Sequence, residues 1–183
     1  MKKRFFKSIL GFAFLVFIAG SVQASGDWAT GEGSCFSKSS KEVSAGLSIA
    51  DFGFYAAYDM GFHDAISGGV ATGYNGYSDA WFSYGAIPIL VRAAFHPFNL
   101  VALKDKINVR DKLDVYIGPS MGYQIGWVSW KNGSVAGLNL GTYGGFIFRE
   151  YIGVRYFFNP KIAVTAEDCA GLGIINFGIC FKL

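Results

Sequence analysis

Charged side chains set into otherwise small, uncharged rows are the residues of this chain best placed to do chemistry. Asp59, Arg92, Asp114, Arg155, Glu167 and Lys182 each fall on the row of a period-two stretch that otherwise holds mainly Gly, Ser and Ala. Opposite charges gathered away from water must pair, because an unpaired buried charge costs several kcal/mol. If Asn159-Pro160-Lys161 forms a three-residue loop, Phe158 lies opposite Ile162, and Arg155 then sits beside Thr165 and diagonal to Glu167. Arg155 and Glu167 are therefore the expected ion pair. The chemistry these six residues suit is electrostatic, either a charged plug that holds a narrow space shut or a gated ion path.

Other reactive types are sparse. His63-Asp64 falls in a predicted turn and His96 precedes Pro97, and neither has a Ser within two residues on the same strand face. A nucleophile needs a base within hydrogen-bond reach, so no catalytic residue is assigned and no enzyme is expected. Both histidines are expected at strand ends, facing water or headgroups. Three cysteines, Cys35, Cys169 and Cys180, allow at most one intramolecular disulfide. No cysteine pair has metal-ligand spacing, so neither metal nor cofactor is expected. Pro88 and Pro119 lie inside adjacent strands, where each removes a ladder donor. They mark either bulges and strand ends or an interrupted wall.

The elements that must position these residues follow from composition and pattern. The 183 residues are 52% hydrophobic and 16% charged, with 25 Gly, 4 Pro and 17% aromatic side chains. Disordered and collagen-like chains are excluded. A mean hydropathy of +0.33 suits a membrane protein, yet no uninterrupted run of about 18 apolar residues exists for a spanning helix. Lys2, Lys3, Arg4 and Lys7, then the apolar run Ile9 to Ala19, then Val22-Gln23-Ala24 read as a secretory signal peptide over residues 1–24. Its removal takes four of the 16 Lys and Arg and none of the 13 Asp and Glu, leaving 12 against 13, or −1. Nothing then favours a nucleic-acid partner, which needs clustered basic side chains.

Residues 25–41 are Gly- and Ser-rich and aperiodic, and are expected as a flexible N-terminal segment. Residues 42–183 form the domain, in which period two takes over. Val43, Ala45, Leu47 and Ile49 alternate with Ser44, Gly46, Ser48 and Ala50, and the pattern returns in seven further stretches ending with Ile175 to Leu183. An all-β, eight-stranded antiparallel barrel is expected, an up-and-down meander. The small rows are too uncharged for a solvated exterior and suit a narrow lumen. The large residues then face outward, which is stable only in lipid, so the barrel is expected to be transmembrane. Tyr74, Tyr77, Trp81, Tyr84, Trp127, Trp130 and Tyr143 fall near one set of ends, and Phe62, Phe95, Tyr156, Phe158 and Phe181 near the other, as two interfacial girdles require. Two long outer loops, Asn75 to Tyr84 and Ser129 to Thr142, are candidate partner surfaces. Asn99 to Lys112 is long for a periplasmic turn, so either its strands run further or the orientation is reversed.

Gly153-Val154-Arg155-Tyr156-Phe157-Phe158-Asn159, Ala166-Glu167 and Phe177-Gly178-Ile179-Cys180-Phe181-Lys182-Leu183 resemble the closing strands of small bacterial outer-membrane β-barrels, the OmpA-like, OmpX-like and OmpW-like group. Asp114-Val115-Tyr116-Ile117-Gly118 with Gly122-Tyr123 is similar to that group's middle strand. The resemblance implies residence in the outer membrane, surrounding outer-membrane lipid, and recognition of the last strand by the barrel assembly machinery. It also implies, from OmpW-like members, sideways release of a small hydrophobic solute through an interrupted wall. The function expected is structural or that of a narrow, gated, porin-like conduit, with the hydrophobic-solute channel and a surface adhesin as alternatives.

Overall fold

A computed structural model describes residues 28–49, 52–131, 139–169 and 175–183, and no side chain within 132–141 or 169–174. The expected signal peptide and residues 25–27 lie outside the described residues, as does much of the Ser129 to Thr142 loop. The strands are β1 (Lys41–Ile49), β2 (Phe52–His63), β3 (Ile66–Ser78), β4 (Phe82–Phe95), β5 (Leu113–Trp130), β6 (Asn139–Asn159), β7 (Ile162–Cys169) and β8 (Ile175–Lys182). Each pairs antiparallel with its neighbour in sequence, and β1 pairs with β8, closing the ring. Closure leaves no free edge around the ring.

The alternation that defines each strand also separates its faces. On β2, Tyr55, Ala57 and Asp59 are buried while Phe54 is 57% exposed. On β3 and β4, Ala71, Leu90 and Arg92 turn inward, and Val70, Ile89 and Val91 are more than half exposed. The inner rows hold small residues because backbones and rings press in upon them. A side chain at Gly153 would collide with the Tyr116 ring.

Two strands run longer than alternation predicts. β4 begins at Phe82 and β6 at Asn139, each ahead of the clear apolar alternation, which starts at Ile87 in β4 and at Ile152 in β6. The early part of β6 holds Gly141, Thr142, Gly144 and Gly145, which erase the period-two signal while the β5 ladder still pairs this stretch from Ser129↔Asn139 onward. The β6–β7 turn is also tighter than expected. Asn159 pairs with Ile162 across Pro160 and Lys161, and a bulge between Phe157 and Asn159 takes up the extra residue. Asn159 Oδ1 accepts from the Lys161 and Ile162 amides at 2.9 and 3.0 Å, fixing that turn. Arg155 consequently stays opposite Thr165 as expected.

The chain ends of the barrel meet at one rim, where Leu183 N–H donates to the Lys41 carbonyl at 2.8 Å. The stretch between β4 and β5 is at this rim too, and its flanking strands do not run further into it than expected. The strands stop at Phe95 and resume at Leu113, and between them the chain folds into short 3-10 turns, Pro97–Asn99 and Val101–Leu103, and further turns. This connection is docked against residues 28–40. Ala29 bridges Leu100, Thr30 N–H donates to the Asn99 carbonyl, and Arg110 Nη2 donates to the Thr30 carbonyl at 2.8 Å. Residues 28–40, expected as a flexible lead-in, are instead a packed plug in which Ala29, Cys35, Phe36 and Ser40 are buried.

Candidate functional site

Alternation turns one charged residue inward on each of six strands, and closure of the ring brings those residues into a single layer just above the plug. Arg155 of β6 donates from Nη1 to Glu42 Oε2 at 2.6 Å and from Nη2 to Asp59 Oδ2 at 2.6 Å, with Asp114 Oδ2 at 3.5 Å. Arg92 of β4 forks onto Asp59 through Nε, at 2.7 Å, and Nη2, and reaches both Glu167 oxygens from Nη1 at 3.0 and 3.1 Å. Asp59 thus joins the two guanidiniums. The planar fork of arginine suits such bidentate pairing. Tyr116 donates to Glu167 Oε2 at 2.9 Å, and its ring lies 4.1 Å beneath the Arg155 guanidinium carbon. Tyr151 lies similarly under Arg92 at 5.1 Å. Four carboxyl groups therefore face two guanidiniums, and all six residues are at most 5% exposed.

Five of the six charged residues expected in the lumen belong to this layer, but their pairing differs from the expected one. Arg155 bonds Glu42, Asp59 and Asp114, while Glu167 is held by Arg92. Glu167 on β7 is opposite Gly153 rather than Arg155, and Arg92 of β4 reaches it from across the lumen. Lys182 stands apart, its Nζ donating to the Cys35 carbonyl of the plug at 2.7 Å. Glu42 was not singled out because it precedes the first apolar residue of β1, although its parity with Ser44, Gly46 and Ser48 marks it as inward.

His96 departs most from expectation. It is fully buried rather than at a wet strand end, with Nδ1 2.8 Å from Asp114 Oδ1 and Nε2 2.9 Å from Ser67 Oγ. Ser67, His96 and Asp114 have the connectivity of a nucleophile, base and orienting acid. Here the Phe36 ring of the plug is stacked on the imidazole, 3.5 Å between centroids and 3° between planes, and Ser67 is 2% exposed. The arrangement clamps the plug to the charged layer. His63 instead stacks on Trp28 at 4.6 Å.

The plug is fastened around this clamp. Asn99 Nδ2 donates to the Phe36 carbonyl at 2.9 Å and Ser34 Oγ donates to Asn99 Oδ1 at 2.6 Å. Cys35 N–H donates to the Arg110 carbonyl at 2.7 Å, and Gly61 N–H to the Ser40 carbonyl at 2.8 Å. The close approach needs Gly61, where any side chain would strike the Ser37 carbonyl.

At the prolines the wall stays in register. Opposite Pro88 the β3–β4 pairs lapse between Thr72↔Ile89 and Asn75↔Ala86 and then resume unshifted. The Thr72 hydroxyl donates to the Pro88 carbonyl at 2.9 Å. Pro119 stays paired with Glu150 on β6. Of the expected aromatic girdles, Tyr74 and Trp127 lie 6.1 Å apart on the outer face near one rim, and Phe62, Tyr156, Phe158 and Phe181 are exposed near the other. Tyr84 departs, its hydroxyl accepting from the inward Gln124 at 3.2 Å.

An inside of paired charges and an outside of exposed Phe, Ile, Val and Leu invert the arrangement of a soluble barrel, whose large apolar residues fill the interior. Such an exterior is stable against acyl chains, and closure satisfies the backbone there. The chain is a transmembrane-type β-barrel. No family model matches it, and no curated protein does. Among solved structures it is similar to the N-terminal β-barrel domain of Pseudomonas aeruginosa OprF, at 15% identity and a TM-score of 0.46 over 80% of this chain and 98% of that one. It is also similar to Ail, the attachment invasion locus protein of Yersinia pestis, at 13% identity and a TM-score of 0.38 over 78% and 90% of the two chains.

Proposed function

We propose that this protein is an integral outer-membrane barrel whose lumen is sealed and whose role in the envelope is structural. One observation carries the reading: Asp59 is shared by Arg92 and Arg155, so a single ion-pair layer fills the cross-section and ties six strands together. Eight strands enclose only enough space for side chains, and the plug covers one side of that layer through Phe36. Outer-membrane lipid is its surroundings and the barrel assembly machinery its partner during insertion. The Ser67–His96–Asp114 chain acts as a clamp, since a substrate carbonyl has no approach to a buried Ser67. Lipid turnover by refolded protein that disappears in His96→Ala would overturn this.

A narrow gated conduit is the second reading, favoured by the make-up of the seal. The plug is a separate segment attached by hydrogen bonds and by the stacks of Trp28 on His63 and Phe95 and of Phe36 on His96, so it can leave without dismantling the strands. Planar-bilayer recording separates the two. A silent wild-type protein supports the sealed barrel, and steady openings support the conduit. Lateral release of an apolar solute gains less support, because Pro88 and Pro119 sit in a wall that keeps its register. Replacing both with Val should leave uptake of apolar solutes unchanged.

A further inference from the structure

Cys35 and Cys180 are both free and buried, and both belong to one small cluster with Phe157 and Ala163. They come from distant parts of the chain, Cys35 from the plug and Cys180 from β8. Phe157 pairs with Ala163 and Ala163 with Cys180, so three inward residues of adjacent strands form the floor on which the plug rests. Lys182, next along the same inner row of β8, donates from Nζ to the Cys35 carbonyl at 2.7 Å. On its other side Cys35 is fixed by its own amide, which donates to the Arg110 carbonyl at 2.7 Å. The plug cysteine is thereby anchored against the strand that carries the second thiol.

We propose that Cys35 and Cys180 are the two halves of a disulfide that bolts the plug to the barrel wall once the chain has reached an oxidising compartment. In forming it, the two thiols give up two protons and two electrons. A disulfide-bearing thiol oxidase accepts them and leaves as the dithiol, and one S–S bond joins the plug to β8. Exported chains meet such oxidants, whereas cytosolic thiols stay reduced. The link keeps the plug on β8 and so rests on the sealed-barrel reading, whereas thiol mapping reads the bond whether or not the lumen conducts.

The timing follows from the environment of Cys35. Burial, with Asp114 and Glu42 adding to it, pushes its thiol up to about 12. Thiolate is the exchanging form, so burial slows exchange at the seated thiol, and the bond closes as the plug settles onto β8. Cys35 lines a cleft of about 400 Å³ with Lys112, Phe157 and Lys182, which gives small oxidants a way in during that interval.

The test is thiol mapping on the refolded chain lacking residues 1–24. The protein is refolded into detergent with a mild disulfide oxidant, the remaining thiols are alkylated, and the digested peptides are identified by mass. One joined peptide pair containing Cys35 and Cys180, with Cys169 alkylated, is expected. Cleavage by trypsin after Lys38 should be lost in the oxidised protein and restored by reductant, and Cys169→Ser should leave both results unchanged. A bond from either thiol to Cys169, or full alkylation of Cys35 and Cys180 in protein whose strand signature by circular dichroism is intact, overturns the proposal. Cys180→Ser, which keeps the plug and removes one sulfur, should remain cleavable after Lys38 with or without oxidant. Protection of that variant by oxidant would equally refute the link.

Discussion

Arg155 bonds three carboxylates from three different strands, so its removal uncovers more buried charge than the loss of any other side chain in the layer. Arg155→Ala leaves Glu42 without its cation and takes one partner from Asp59 and Asp114, which keep Arg92 and His96, and breaking a buried pair in this way costs about 3–5 kcal/mol. Urea unfolding in detergent, followed by tryptophan fluorescence, should show that loss, with Arg155→Lys recovering only part of it because an ammonium cannot fork. A second prediction concerns the outer turn between β3 and β4. Asp79 Oδ1 accepts from the Trp81 and Phe82 amides at 2.7 and 2.8 Å, and these two bonds hold its carboxyl below the usual carboxylate range, that from Phe82 first. A depressed folded value means the stabilisation is fully present above the ordinary carboxylate pKa and is lost as pH falls through the folded one. The Trp81 amide should therefore stay protected from exchange at neutral pH and lose protection only in acid, whereas Asp79→Ala removes it at every pH. At this scale much was legible. The parity of Asp59, Arg92, Asp114, Arg155 and Glu167 placed them inside, but which carboxylate meets which guanidinium depends on reach across the lumen, and parity contains no such distance.

Among the elements, the plug is the one whose character changed most between sequence and structure. Residues 28–40 show no periodicity because they form no strand, and their order comes from partners far along the chain: Asn99, Arg110 and Lys182. Phe36 is their main apolar anchor. Truncating a buried Phe costs about 3–5 kcal/mol, a loss that should fall on the plug rather than on the strands. Phe36→Ala should accelerate tryptic cleavage after Lys38 while leaving the strand circular dichroism unchanged. Equal loss of plug and strand signal would show that the two unfold as one unit. β6 illustrates the opposite case, an element hidden by glycines in its own sequence and drawn out by the β5 ladder beside it.

For the whole molecule the decisive relation is between an outward apolar wall and its surroundings. Ile89 is 59% exposed near the middle of that wall. A Lys at such a lipid-facing site costs about 2–4 kcal/mol, so Ile89→Lys should lower unfolding free energy in vesicles by that amount, whereas the same change at the solvent-side Val109 should have little effect. Equal, negligible effects at both positions would remove lipid as the neighbour of the wall. Period-two alternation in the sequence by itself determined the strands, their faces and the inversion of polarity, because these depend on residues two apart along one strand. Which charges pair, how residues 28–40 pack, and how Cys35 and Cys180 come into one buried cluster were decided only in the closed ring, because those contacts join residues far apart in sequence.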